Sequence, residues 1–293
     1  MCWRGVPHFM ARIHPSQQVF AYVYGNTVEM TSATGNVAPV KKIDSDRYMT
    51  HDGEIRLYNK SENRSENLVS IKRTLKKLRR IICENFSGGE DELWITLTYA
   101  ENVQDSKVVY SDFRNLLKKL KRKYGKIEYV NVLEPQKRGA WHMHLLLKSD
   151  DGRYLRIENA DLQKLWGKGY VKVKRLKQSD NVAAYLMAYL SDVELDENEV
   201  GKEHVSVKNG KRVEKGGRLS MYPSGMNFYR TSKGIIKPQG VKTSKDTILD
   251  TVGVNKSEYE RPAYETHFSV EKSDGTQYNI DTEFFNFNRG DKE

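Results

Sequence analysis

The sequence predicts an α+β protein, with a central antiparallel sheet covered by helices and flanked by N- and C-terminal extensions. Three observations predict this fold. From residue 93 onward, β-branched and aromatic runs alternate with apolar residues at helical spacing, in the order strand, helix, strand, strand, helix, strand, helix. The two middle strands are separated only by 135–139, a connection too short for anything but an antiparallel pair. Finally, 293 residues with 38% apolar and 10% aromatic content can form one sizeable domain with appendages, or two small ones.

Residues 1–65 mix short β-like runs, such as 19–24, with polar turn-rich segments, and no motif gives them a role. Over 66–86, Leu68, Ile71, Leu75, Leu78 and Ile82 recur at helical spacing, with Lys72, Arg73, Lys76, Lys77, Arg79 and Arg80 between them. One face therefore packs and the other is strongly basic. Ser87-Gly88-Gly89 ends that helix, and 93–99 follows as a strand. A second basic helix is expected over 111–124, capped by Ser111, packed through Phe113, Leu116, Leu117 and Leu120, and closed by Gly125. Its polar face carries Arg114, Lys118, Lys119, Lys121, Arg122 and Lys123.

Residues 127–134 and 141–147 form the arms of a hairpin. A short helix over 161–166, closed by Gly167, precedes a strand over 170–174 and an apolar helix over 180–191. The acidic stretch 192–203 is a linker or exposed loop, and 218–222 with 226–230 is a hairpin around Pro223-Ser224-Gly225. The expected organisation is an N-terminal extension (1–65), a central domain (66–192), a basic and aromatic hairpin region packing on or extending that domain (193–245), and an acidic, partly flexible tail (246–293).

Charge is unevenly spread. The net charge is +10, yet from Asp246 onward eleven acidic side chains oppose five basic ones, which leaves the preceding residues with an excess of sixteen positive charges. Such a body suits nucleic acid as a partner; a merely solvated basic surface is the alternative. Two cysteines, Cys2 and Cys83, exclude a disulfide framework and a cysteine-rich zinc site. No run approaches eighteen uncharged apolar residues and no signal core opens the chain, so a cytoplasmic protein without a membrane partner is expected. The phosphate loop G-x-x-x-x-G-K-[ST] is absent, which excludes a motor of that type.

Strand alternation sends His142 and His144 to one face and Met143 to the other, and the hairpin brings Glu134 near the pair. Two imidazoles and a carboxylate suit Mn²⁺ or Mg²⁺ better than a closed zinc site, although paired strand histidines also occur as packing residues. Tyr185 and Tyr189 project from one helical face a turn apart. With seventeen tyrosines in the chain, such a pair taken alone reads as packing.

Taken in order, Trp94-Ile95-Thr96-Leu97-Thr98-Tyr99, then Glu134 with His142-Met143-His144, then Tyr185 and Tyr189 resemble the three motifs of the HUH superfamily of single-strand endonucleases. The resemblance covers residues 66–192. With the tyrosines after the histidines it is to rolling-circle replication initiators (Rep proteins) of bacterial phages, plasmids or integrative elements, in their two-tyrosine class. Residues 218–235 are similar to replication proteins of Gram-positive mobile elements.

The resemblance implies an HUH/RRM-like, ferredoxin-like sheet, with Mn²⁺ or Mg²⁺ held by His142, His144 and Glu134. Tyr185 and Tyr189 are the implied nucleophiles, forming a 5′-phosphotyrosine link and freeing a 3′-hydroxyl. Single-stranded DNA or an origin hairpin is the implied substrate, with host helicase and polymerase as partners in the bacterial cytoplasm. Many relatives carry a lysine three positions after the tyrosine; Ala188 and Asp192 stand there in this chain, so Lys172 or Lys174 is the expected substitute.

Phosphate contacts are expected from Lys76, Lys77, Arg80, Lys118, Lys119, Arg122, Lys172, Lys174 and Arg230, and base stacking from Tyr222 and Tyr229, with Trp141, Trp166 and Tyr170 as further aromatics. For Trp141, which points opposite to His142, core packing is favoured. Three other functions share these features: a mobilisation relaxase or transposase of the same chemistry, a non-catalytic RRM-like single-strand binder, and a metal-dependent hydrolase using water.

Overall fold

The computed structural model describes residues 12–34, 41–50, 53–57, 68–136, 139–177, 193–194, 205–208, 211–214, 221–223, 226–271 and 277–287. The chain divides into two compact units: a central one, Ser61–Lys237, and a terminal one made of Cys2–Lys60 with Pro238–Glu293. The terminal unit opens with β1 (Gln18–Tyr24), β2 (Thr27–Thr34) and the short β3 (Lys41–Lys42), β4 (Arg47–Met49) and β5 (Ile55–Leu57). The central unit follows with α1 (Leu68–Asn85), β6 (Glu92–Leu97), α2 (Ser106–Tyr124), β7 (Ile127–Pro135), β8 (Trp141–Ser149), α3 (Asn159–Trp166) and β9 (Val171–Arg175). It ends with the short β10 (Val193–Glu194), β11 (Val205–Lys208), β12 (Lys211–Glu214) and β13 (Tyr229–Thr231). The chain then returns to the terminal unit with β14 (Val241–Ser244), α4 (Lys245–Thr251), β15 (Tyr264–Glu271) and β16 (Gln277–Asn286). Among the described residues no helix is long and apolar enough to cross a membrane.

The central unit has the α+β architecture expected from the sequence. Elements β6 to β9 form a βαββαβ unit with strand order β7-β8-β6-β9, every pair antiparallel, and β13 added outside β7. That connectivity is the ferredoxin-like one. Leu97, Met143 and Leu133 lie in one row across the sheet, and Ile95, Leu145 and Asn131 in the next, on a face packed by α2 and α3. Phe113 of α2 meets Tyr129 edge-on at 5.2 Å, and Trp166 of α3 meets Tyr99 at 5.1 Å while donating its indole N–H to the Thr98 carbonyl at 2.7 Å. The opposite face carries Trp94, Thr96, His142, His144, Glu134 and Val132. The C-terminal end of α1 meets this face where Lys148 donates to the Asn85 carbonyl at 3.1 Å.

Several boundaries differ from those expected. Helix α2 begins at Ser106 rather than near Ser111, because the Asp105 carboxylate accepts the Lys107 amide at 2.8 Å and Val109 is fully buried. Of the hairpin expected over 218–230, residues 218–220 and 224–225 lie outside the described residues; Tyr229–Thr231 pairs instead with β7. The helix expected over 180–191 also lies outside the described residues. Beyond it, Val193–Glu194 pairs with β12 in a small sheet, β10-β12-β11.

The terminal unit is a second antiparallel sheet, ordered β14-β1-β2-β16-β15. Helix α4 adds Ile248 and Leu249 to a core of Val19, Ala21, Val28, Met30 and Phe285. Strands from 1–65 and from 246–293 thus lie side by side, β2 pairing with β16 from Thr27–Asn286 to Thr34–Asn279. The described part of the acidic tail is therefore ordered strand and helix, because its charges have partners: Glu283 meets Lys245 at 2.7 Å and Asp281 meets His267 at 2.7 Å.

Candidate active site

The β7–β8 ladder sets Glu134 directly opposite His142 and Val132 opposite His144, while β6 sets Thr96 on the other side of His144. All three predicted ligands therefore share one face. His144 Nε2 and Glu134 Oε2 are joined by a short hydrogen bond, and the two residues are only 5% and 4% exposed. Burial pushes the His144 imidazole down to about 4, so the ring is neutral at pH 7 and holds one proton. The position of that proton follows from what its neighbours can do. The Trp94 indole N–H donates to Thr96 Oγ1 at 3.2 Å, and Thr96 Oγ1 lies 3.5 Å from His144 Nδ1. An indole only donates and a carboxylate only accepts, so the Thr96 hydrogen is directed to Nδ1 and the ring proton sits on Nε2, toward Glu134. Trp94 also packs edge-on against the imidazole at 5.6 Å.

His142 is half-buried and forms the more accessible side of this group. Among the described residues, no set of three or more His, Cys, Asp or Glu side chains is gathered closely enough to hold a metal ion. The donor types fit Mn²⁺ or Mg²⁺, two imidazole nitrogens and one carboxylate on a common face, but the His144 proton occupies the Glu134 contact, so a cation binding there has to replace it.

The structure separates the predicted DNA contacts. Lys172 and Lys174 are exposed, pair with Thr96 and Trp94, and stand on the histidine face at the sheet edge. Lys76 and Lys77 are exposed on α1, and Arg80 is half-buried. Lys118, Lys119 and Arg122 are exposed on α2, which covers the opposite face; Lys119 donates to the Leu165 carbonyl at 2.8 Å. Arg230 stands opposite Asn131, also on the α2 face, with its guanidinium 3.4 Å from the Tyr110 ring centroid. A strand lying along the histidine face does not reach these α2-side cations without wrapping an edge.

Tyr229 is half-buried opposite Val132, on the histidine side. Tyr222, by contrast, is fully buried, donates its hydroxyl to the Leu133 carbonyl at 2.8 Å and packs on Phe228 at 4.5 Å, so no base reaches its ring in this packing. Trp141 and Trp166 are also buried, Trp141 donating to the Gln104 carbonyl at 2.7 Å. Tyr170 is 63% exposed. Tyr185 and Tyr189, the expected nucleophiles, lie outside the described residues. Sequence reasoning did not assign a role to Thr96 or Trp94, although their even spacing with Thr98 along β6 was the available signal.

The central unit is thus a ferredoxin-like α+β module with a neutral histidine, a carboxylate and a second histidine on one sheet face. Residues 92–194, from the first residue of β6 to the last of β10, match the family model of the replication-associated proteins of the ORF2 type. Over that span the chain is similar to replication-associated proteins. No curated protein and no solved structure matches the chain.

Proposed function

We infer that the central unit is a metal-dependent single-strand DNA endonuclease and strand transferase that initiates and terminates rolling-circle replication. The observation that carries this reading is that the replication-associated family match covers the strands on which Glu134, His142 and His144 share a face. A Mn²⁺ or Mg²⁺ ion held by these residues would polarise the phosphodiester and stabilise charge in the transition state. The phenol of Tyr185 or Tyr189 attacks phosphorus; the P–O3′ bond breaks, a phosphotyrosine forms at the 5′ end, and the 3′-oxygen leaves protonated. The tyrosine–phosphate bond keeps the energy of the broken linkage, so rejoining needs no nucleotide hydrolysis, and a second tyrosine can take the regenerated origin. Lys172 and Lys174 supply cationic charge beside the phosphate. Host helicase and polymerase act on the nicked origin in the bacterial cytoplasm.

A second reading, a non-catalytic RRM-like single-strand binder, is favoured by one observation: Glu134 and His144 satisfy each other's hydrogen bonds directly. Cleavage separates the two. Labelled single-stranded DNA from the element that encodes the chain is expected to be cut at one site with Mn²⁺, and not with a chelator or by His144→Gln. Tight binding without cleavage under any divalent ion supports the binder.

A further inference from the structure

We propose that Tyr170, with Lys172 and Lys174, forms a lead-in track on which the base next to the scissile phosphate is stacked. The proposal rests on the nuclease reading for the identity of its ligand as single-stranded DNA.

Three observations support it. The first is the exposure of Tyr170: with 63% of its surface open, it is among the most exposed large hydrophobic side chains of the central unit. Strand alternation puts it on the same side of the sheet edge as the exposed Lys172 and Lys174. An aromatic face followed by two cations at every second residue matches what an unpaired strand offers, a base face and then successive phosphates, and alternate residues stand about 6.6 Å apart.

The second is rigidity. The amide and the hydroxyl of Thr98 both donate to the Tyr170 carbonyl at 2.9 Å, and Gln163 Nε2 donates to the Gly169 carbonyl at 2.7 Å. Gly169 lies so close to β6 that a Cβ there would collide with the Thr98 carbonyl oxygen and stand 2.7 Å from the Ala100 nitrogen. The turn that presents Tyr170 is therefore fixed against the sheet by backbone contacts that only glycine permits. An exposed aromatic on a pre-set backbone loses little freedom when a base stacks on it.

The third is position. Continuing the strand registers by one residue, Tyr170, Thr98, His142 and Glu134 fall in one row across β9, β6, β8 and β7. Tyr170 is two strands from His142, about 10 Å. A base on Tyr170 thus leaves the adjoining phosphate within a nucleotide's reach of the more accessible histidine, and Lys172 lies in the adjacent row with Thr96 and His144.

The test uses the full chain in chelator, so that no cleavage intervenes, with a fluorescein-labelled oligothymidylate and a matching oligomer carrying 5-iodouracil. Tyr170→Ala is expected to weaken binding about tenfold, the order of a single base–aromatic stack, while Tyr170→Trp binds at least as well as the parent. Photo-cross-links are expected at Tyr170. Lys172→Gln with Lys174→Gln is expected to reduce the slope of log affinity against log salt by about 1.4. Thermal melting checks that each variant is folded; Tyr170 is exposed, so its replacement leaves the core untouched. Binding by Tyr170→Ala within twofold of the parent, with cross-links elsewhere, overturns the proposal. Cleavage by the parent with Mn²⁺ is read separately: a nuclease whose Tyr170→Ala binds normally refutes only the track, and Tyr170-dependent binding without cleavage refutes only the nuclease.

Discussion

Two buried polar pairs, one in each unit, are built from similar chemistry and do different things. In the terminal unit, Lys245 and Glu283 are both fully buried; Lys245 also donates to the Ile13 carbonyl at 2.9 Å, and the second Glu283 oxygen accepts the amides of Arg12 and Ile13 at 2.7 and 2.8 Å. This pair joins three separate parts of the chain, residues 12–13, α4 and β16. In the central unit, His144 and Glu134 lie on adjacent strands already joined by the β7–β8 ladder. Their contact adds no new connection to the fold, and a half-buried second histidine lies beside it. A buried pair that ties distant segments is a structural device, whereas one placed where the backbone needs no tie is available for chemistry.

Lys245→Met should produce the largest effect and the sharpest test of that contrast. It leaves Glu283 buried without its ammonium partner, and a loss of about 3–5 kcal/mol is expected in urea or thermal unfolding of the terminal unit. His144→Gln retains an amide donor for Glu134 and is expected to cost only about 2 kcal/mol while cleavage is lost. A stability loss as large as that of Lys245→Met would make the His144 pair structural and break the comparison.

Acid titration sharpens it further. The folded-state His144 value is depressed from 6.5 to about 4, so the unfolded chain takes up a proton first. The contribution of this group is fully present above about pH 6.5 and is lost as pH falls toward 4, and His144→Gln should lack that part of the acid slope. The smallest effect is expected for Tyr222→Phe, which removes the hydroxyl bonded to the Leu133 carbonyl: about 1 kcal/mol of stability with single-strand affinity unchanged. A marked loss of affinity with stability intact would restore Tyr222 to the DNA surface.

Alternation and helical spacing made much of the central unit legible. The parity of His142, Met143 and His144 placed both imidazoles on one face, and Leu116, Leu117 and Leu120 marked the buried side of α2. Local pattern does not encode which distant segment completes a sheet. β16 reads as acidic tail because Asp281 and Glu283 are neutralised by His267 and Lys245, 14 and 38 residues away. The same limit hid Tyr222: its aromatic-and-basic neighbourhood suggests a surface, but its ring completes the core beside Trp141 and Phe228. The face assignment of α2 and Arg230 likewise depends on the register of β13 on β7.

The central claim is that a tyrosine of this chain becomes linked to DNA. Incubation with single-stranded DNA from the encoding element and Mn²⁺, followed by denaturing electrophoresis and peptide mapping, tests it most directly. A 5′-phosphodiester on Tyr185 or Tyr189, absent in a variant with both replaced by Phe, is the predicted result. Full cleavage by the double Phe variant, with no protein–DNA adduct in the parent, would contradict the claim and make water the nucleophile.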